Sequence, residues 1–443
     1  MTACISPRTP LQRWLEKPWF LTVWCVLAAF GSYACMYGFR KPFTAGGYTG
    51  TAYGPQLKAL LVTAQVLGYM LSKFIGIKVI AEMPPARRAP TLLTLVGCAE
   101  LALACFALTP PPFNAGWLFL NGLSLGLVYG LVLGFVEGRR MTEVFVAGLC
   151  ASFILADGVS KSVGAWLLVL GVSERWMPAG AGLIFALPLV VFVWMLRQIP
   201  APDGADVIAR SARAPMSGRD RLAMLQRHGF ALFAIVISFL LVTVLRSIRA
   251  DFAPEIWSGL GLTGQPAVFT YSETCVAIGV LLINGSLVLV RDNRRAFFGA
   301  LGLCVAGLGA GLLALAARRA GVVGPFAFMV LLGVGMYVPY VAVHTTIFER
   351  LIALTRERGN MGYLMYLADA AGYLGYASLM LGQSAFASKE NFLAFFLWVT
   401  TWLLGTALFA ILTACVLYAR RVPGPEKAPG VPELSEPTLD VQL

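Results

Sequence analysis

Histidine, ordered cysteine spacing and charge are all scarce in this chain. Only two histidines occur in its 443 residues, His228 in a polar connection and His344 alone on an apolar segment. None of the nine cysteines stands in a C-x-x-C pair, which removes the usual zinc frameworks and dithiol redox motifs. Nearly all of them fall inside apolar runs, where a thiol behaves as a small hydrophobe. No metal and no cofactor is expected. With only these two isolated histidines, a catalytic constellation is not expected either, and His344 reads as a packing residue.

Charged residues make up 13% of the chain and hydrophobic residues 58%. A soluble protein of this length has no interior large enough for so much apolar surface, so the solvent for most of it is lipid. A net charge of +12 on a soluble protein would point to nucleic acid. Here the basic residues sit in short segments between long apolar runs, so nucleic acid is not an expected partner and the phospholipid bilayer is. Arginine outnumbers lysine 26 to 8, a bias that fits a GC-rich bacterial source and an inner-membrane location. No small-residue cleavage site follows the first apolar run, so the segment after Trp19 reads as a retained helix.

Apolar runs of about 20 residues, enough to cross a bilayer as helix, begin near residues 19, 57, 91, 113, 143, 178, 230, 267, 297, 325, 361 and 392. The predicted fold class is therefore an all-α polytopic membrane protein with twelve transmembrane helices. The seventh and eighth runs look weakest, being interrupted by charge. Arginine and lysine in the connections set the orientation. A cytoplasmic N-terminus collects 22 of them on that side and leaves six opposite: Lys58, Arg175, Arg249, Arg318, Arg319 and Lys389. Both termini are expected in the cytoplasm.

One long polar, basic connection divides the chain. The expected organisation is a six-helix bundle over 1–199, a cytoplasmic linker over 200–229, a second six-helix bundle over 230–420 and a tail over 421–443. The halves look like copies. Arg40 ends the first span and precedes Arg87-Arg88, while Arg246 ends the seventh and precedes Arg294-Arg295 at nearly the same separation. Two halves repeated in one orientation, related by a pseudo-two-fold along the membrane normal, place a site at mid-membrane between them. Glycine recurs every fourth residue at Gly122, Gly126, Gly130, Gly134 and Gly138, which lines one helix face with small groups for close packing.

Ionisable side chains at bilayer depth are costly, roughly 3 kcal/mol on insertion scales, and need a partner or a wet cavity. This chain places Arg40, Lys41, Lys73, Lys78, Glu100, Glu137, Asp157, Lys161, Arg246, Glu273 and Asp369 there. Lys78 and Glu137 lie near span ends and can snorkel; Glu100 is a candidate for an interhelix hydrogen bond. Others share helix faces with tyrosine. Tyr33, Tyr37 and Arg40 form one stripe, and the pairs Tyr69–Lys73, Asp157–Lys161 and Asp369–Tyr373 are each one turn apart. Such faces are expected to line an aqueous cavity, and cations converging from both halves make it an anion site.

The stretches YACMYGFRKPF (Tyr33 to Phe43), GYMLSKF (Gly68 to Phe74), LRSIRADFAP (Leu245 to Pro254), YSE (Tyr271 to Glu273) and GYLGY (Gly372 to Tyr376) follow the order of the spans. Together they resemble the organophosphate:phosphate antiporters of the major facilitator superfamily, which include the glycerol-3-phosphate and hexose-phosphate transporters. The resemblance implies that Arg40 and Arg246 hold a phosphate between the halves. It also implies that Lys73, Tyr33, Tyr37, Tyr69 and Tyr373 face the site, with Glu273 at the family's eighth-helix glutamate. Three departures mark an outlying branch. Ala156-Asp157 with Lys161 stands where the glycerol-3-phosphate transporter has Ala-His, Thr243 replaces a tyrosine, and IKVIAEMPPARR is a degraded form of the superfamily's loop signature.

The expected function is secondary active transport of a small anionic, phosphorylated organic solute by alternating access. Arg40 and Arg246 bind the anion, and Lys73, Lys161, Tyr33, Tyr37, Tyr69 and Tyr373 complete the site. Asp157, Glu273 and Asp369 are the coupling candidates, for exchange or for proton symport. The other readings are a proton-coupled symporter of another organic anion and a transport-fold sensor of a phosphorylated ligand, for which the short, proline-rich tail offers no output domain. A monomer is expected.

Overall fold

The computed structural model describes residues 10–48, 54–81, 83–136, 139, 142–201, 218–262, 265–290, 292–355, 361–386 and 392–421. Most of the linker (202–217), the tail beyond 421 and the loop residues Arg140, Arg291, Arg356, Arg358 and Lys389 lie outside them, as do Gly138 and Glu137. Within them every regular element is helical, as a chain in lipid requires: only intra-segment bonds satisfy the backbone where no water can.

The helices are α1 (Pro10–Leu15), α2 (Pro18–Gly38), α3 (Gly54–Ala81), α4 (Pro85–Leu108), α5 (Ala115–Leu125), α6 (Val128–Val136), α7 (Thr142–Val169), α8 (Met177–Arg197), α9 (Gly218–Asp251), α10 (Ala253–Gly259), α11 (Ala267–Val288), α12 (Asn293–Arg319), α13 (Pro325–Ala342), α14 (Phe348–Thr355), α15 (Met361–Phe386) and α16 (Phe392–Arg421). A 3₁₀ turn, Pro42–Ala45, follows α2, and a π turn, Val343–Ile347, joins α13 to α14. Among the described residues eleven stretches are long and apolar enough to cross a membrane, with α5–α6 and α13–α14 each counting as one. The remaining long helix, α15, has 26 residues but carries Asp369, Tyr366, Tyr373 and Tyr376. Among the eleven the least apolar are the second and the fifth, not the seventh or eighth. The seventh contains the most apolar stretch of all, because Arg246, Arg249 and Asp251 are confined to its last two turns.

α9 breaks at Gly229, whose φ of 27° no ordinary side chain tolerates well. The break separates the basic stretch that ends at His228 from the apolar span that begins at Phe230. In the first half α2 packs on α7 and α8, and α3 on α5; in the second, α9 packs on α15 and α16, and α12 on α13. The halves meet through α7 against α11 and α3 against α15.

Hydrogen bonds show which ends share a face. Trp24, early in α2, donates to the Met195 carbonyl late in α8 at 3.0 Å. Arg139 donates to the Pro200 carbonyl, and Arg421 to the Arg227 carbonyl at 2.9 Å. Toward the other face, Lys41 pairs with Asp251 and Lys58 with Glu255. Two residues assigned to that side's loops therefore belong elsewhere: Lys58 and Arg249 are buried, ion-paired side chains of α3 and α9. Removing them deepens the charge asymmetry between the faces.

The glycine stripe explains how closely α3 approaches α5 and α6. A Cβ on Gly122 would collide with the Gln65 carbonyl, and one on Gly68 with the Phe119 carbonyl. A Cβ on Gly126 would lie 2.8 Å from the Tyr69 carbonyl, and one on Gly130 at 3.1 Å from the Ile80 side chain. Backbone cannot step aside as a side chain can. Gly122→Val is expected to cost about 1–3 kcal/mol through overpacking and to lower the thermal midpoint of the purified protein by several degrees. Gly97→Ala, which points into open space, should leave that midpoint unchanged; equal midpoints for both variants would contradict the packing account.

Candidate functional site

The centre of the molecule is organised around a chain break. α2 stops at Gly38, and Phe39–Lys41 turn before the 3₁₀ segment, which leaves carbonyls inside the protein without helical partners. Such groups are expensive where water is absent. Asn121 Nδ2 donates to the Phe39 carbonyl at 3.1 Å and to the Ala99 carbonyl at 3.2 Å. Gln65 Nε2 donates to the Arg40 carbonyl at 3.0 Å and to Asn121 Oδ1 at 2.8 Å. This brace between α3 and α5 fixes the backbone from which Arg40 projects.

The Arg40 guanidinium lies 3.8 Å from the ring centroid of Tyr69, with the rings of Tyr37 and Tyr373 at 5.8 and 5.9 Å. Arg246, on α9, stands 4.7 Å from the ring of Tyr340. Tyr37 and Tyr373 interact electrostatically with both arginines, so these two rings lie in the space the guanidiniums share. Both arginines are buried, and the Nε of each lacks a hydrogen-bond partner. Among the described residues neither is within ion-pairing distance of a carboxylate.

A cavity lies beside them, lined by Tyr33, Tyr37, Tyr69, Lys73 and Tyr129 from the first half together with Phe153, and by Arg246, Tyr340, His344, Asp369 and Tyr373 from the second. Only about 20 Å³ of it is open to water centres, room for one or two waters, so the halves are closed around it. The Tyr33 and Tyr69 hydroxyls face each other at 3.5 Å. Tyr69 and Tyr373 meet across the halves with ring centroids 5.0 Å apart. Lys73 Nζ is 3.5 Å from Asp369 Oδ2, and His344 Nε2 is 3.3 Å from Asp369 Oδ1.

Seven of the eight expected binding residues gather here, six of them in the lining. Arg40 is the exception within the group: it sits behind the tyrosines, held over the Tyr69 ring by the attraction of a cation for a π face. Lys161 does not line the cavity. It pairs with Asp157 one turn away on α7. Glu273 does not line it either, because Arg249 Nη1 donates to its Oε1 at 2.6 Å while Nη2 donates to the Met329 carbonyl at 3.1 Å. Lys41 pairs with Asp251, whose Oδ2 also accepts from the Tyr376 hydroxyl at 2.9 Å. Of the three coupling candidates only Asp369 faces the cavity. Glu100 is not satisfied by an interhelix hydrogen bond at Oε2.

Sequence reasoning missed His344, Tyr340, Tyr129, Arg249 and Asp251. The last two had a signal: Arg249 is one turn beyond Arg246, and the span continues through both. Ending it at Arg246 turned a buried ion pair into a loop charge. His344 had a signal too, since a histidine surrounded by apolar residues needs a polar partner that a distant helix must supply.

A family model described as a family of unknown function, DUF5690, matches residues 42–421. The chain belongs to that family. Arg40, Tyr33 and Tyr37 precede the matched stretch. No curated protein matches the sequence. Among solved structures the chain is similar to the crystal structure of a D-xylose–proton symporter, with a TM-score of 0.58 and 14% identity, over 89% of this chain and 97% of that one. It is similar also to a mutant form of the nucleoside transporter NupG, with a TM-score of 0.56 and 14% identity, over 90% of this chain and 100% of the other. At that identity the likeness is one of fold. The DUF5690 chain shares the fold of these two proteins, and nothing in the likeness singles out the organophosphate antiporters.

The Arg249–Glu273 pair gives a test of the second layer. Removing one member of a buried pair strands the other charge, at about 3–5 kcal/mol. Arg249→Leu is expected to sharply reduce folded yield from membranes, and Arg249→Leu with Glu273→Leu to recover it. Size-exclusion profiles of a fluorescent fusion read both; a double variant no better than the single would count against a structural pair.

Proposed function

We propose that this protein is a secondary transporter of a small phosphorylated organic anion, which Arg40 and Arg246 bind between the two halves by alternating access. The observation that carries the reading is the pair of buried arginines without a carboxylate. Around them, Lys41, Lys58, Lys73, Lys161 and Arg249 each have one. Two uncompensated cations in a water-poor interior call for two negative charges. A phosphomonoester supplies close to two at neutral pH, with terminal oxygens that match the donor fork of arginine. A monocarboxylate balances only one.

The tyrosines fit the same reading. Tyr69 and Tyr373 belong to opposite halves, so parting the halves separates their rings and uncovers Arg40. The substrate then enters a space that the closed form reduces to a water-sized void. Asp369 is the coupling carboxylate in this account, while Asp157 and Glu273 keep the second layer neutral. The face that carries Arg139, Arg227 and Arg421, with both ends of the helical core, is cytoplasmic.

Ligand-dependent thermal stability tests the anion. Anything that binds only the folded protein raises its midpoint with concentration. Inorganic phosphate and sugar phosphates are expected to do so, and monocarboxylates to do so less. Arg40→Lys and Arg246→Lys should fold normally and lose roughly tenfold or more in affinity, since lysine cannot reproduce the bidentate fork and a charged hydrogen bond is worth about 1.5–3 kcal/mol. Wild-type affinity in either variant, or stabilisation by monocarboxylates alone, overturns the assignment. For orientation, a fluorescent reporter fused to the C-terminus should fold and emit in bacterial cytoplasm; a reporter active only outside the cytoplasm reverses it.

A further inference from the structure

Among the described residues Asp369 is the one carboxylate in the cavity lining, and two bases compete for it. Lys73, from α3 of the first half, approaches Oδ2 at 3.5 Å, and His344, from the π turn of the second, approaches Oδ1 at 3.3 Å. The other ring nitrogen of His344, Nδ1, lies 3.2 Å from the Tyr340 carbonyl. A carbonyl oxygen only accepts, so Nδ1 carries a hydrogen and donates it. In a neutral imidazole that leaves Nε2 as a bare acceptor. Nε2 faces Asp369 Oδ1, itself an acceptor that receives no hydrogen bond. Two acceptors do not attract, and the contact is favourable only with a proton between them. Imidazole is the more basic group in water, so the proton resides on Nε2.

The surroundings hold the ring to this geometry. His344 stacks on Tyr340 with centroids 4.7 Å apart and contacts Phe239 at 5.1 Å. The widened π turn, a feature common at functional sites, carries its backbone. Around the pair stand Lys73 on α3, Tyr129 on α6, Cys150 on α7 and Arg246 on α9. Tyr366 and Tyr373 flank Asp369 on α15. Lys73 and Arg246 oppose a positive ring, the tyrosines and the thiol add no charge, and Asp369 favours it.

We propose that His344 and Asp369 form a proton-binding site whose loading frees Lys73 to help hold the transported anion. A hydronium ion reaching the cavity gives up one proton: its O–H bond breaks, the Nε2–H bond forms, a neutral water is left, and the ring passes from neutral to positive. Asp369 then has His344 as its counter-charge, and Lys73 becomes available to the anion beside Arg246. Linkage is reciprocal, so a bound anion also favours the loaded proton. The two load together, the sign of cotransport. This coupling rests on the anion reading above; the proton site does not.

Because the chain has only two histidines, nitrogen-15 histidine spectra of the full-length protein in lipid resolve His344, with His228→Gln as the assignment control. Nδ1 is expected to carry its proton at every pH. Nε2 is expected to be protonated near about pH 6, below the ordinary imidazole midpoint, and bare at that pH in Asp369→Asn. A bare Nδ1 in the wild-type protein overturns the site whether or not the variant folds, and so does an Nε2 signal indifferent to Asp369→Asn. Sulfate, a dianion throughout this range, probes the coupling. Its apparent affinity from thermal shift should weaken severalfold from about pH 6 to about pH 8, either side of that midpoint, and be flat in His344→Gln. A flat wild-type profile overturns the coupling. No stabilisation by sulfate or phosphate at any pH, with the histidine signature intact, sinks the anion reading and upholds the proton site.

Discussion

Inside this protein a charge or a backbone carbonyl that loses water must find a partner within the chain, and most of the architecture around the site answers that demand. Lipid offers no hydrogen bonds and little dielectric screening, so an unmatched group there costs several kcal/mol. The break after α2 is tolerable because Gln65 and Asn121 take up the carbonyls of Arg40 and Phe39. That brace in turn needs α3 and α5 close together, which the absence of a Cβ at Gly68 and Gly122 permits. A packing motif on one helix thus fixes where a guanidinium on another can stand.

The ion pairs divide by what they connect. Asp157–Lys161 and Arg249–Glu273 lie within one half each. Lys41–Asp251, Lys58–Glu255 and Lys73–Asp369 join a first-half cation to a second-half carboxylate. Pairs of the first kind survive any rigid movement of the halves; pairs of the second kind must part or exchange partners when the halves separate. Arg40 and Arg246 belong to neither class. Their neighbours are tyrosine rings, whose faces attract a cation without neutralising it, so the site stays positive while remaining packed.

Much of this was legible in the residues. Repeated Tyr–cation spacing on the first and second spans pointed to one lined cavity, and Tyr33, Tyr37, Tyr69 and Lys73 do share its wall. The i, i+4 spacing of Asp157 and Lys161 correctly implied contact, since helix geometry alone decides it. The same spacing could not say which way the pair points, and the pair turned out to lie away from the cavity. Nothing in the sequence pairs Glu273, a coupling candidate, with Arg249, which is 24 positions away on a different helix.

Composition and local periodicity determined the bilayer as solvent, the helices, the basic face and the inventory of costly charges, because hydropathy and helical spacing are properties of consecutive residues. Pairing is not. Whether Asp369 serves Lys73 or His344, whether Arg40 lines the cavity or sits behind Tyr69, and whether a buried arginine is neutralised or left open depend on which helices become neighbours. Only the packing of the two halves against each other decided those, since electrostatic partnership falls off within a few ångströms and sequence distance says nothing about it.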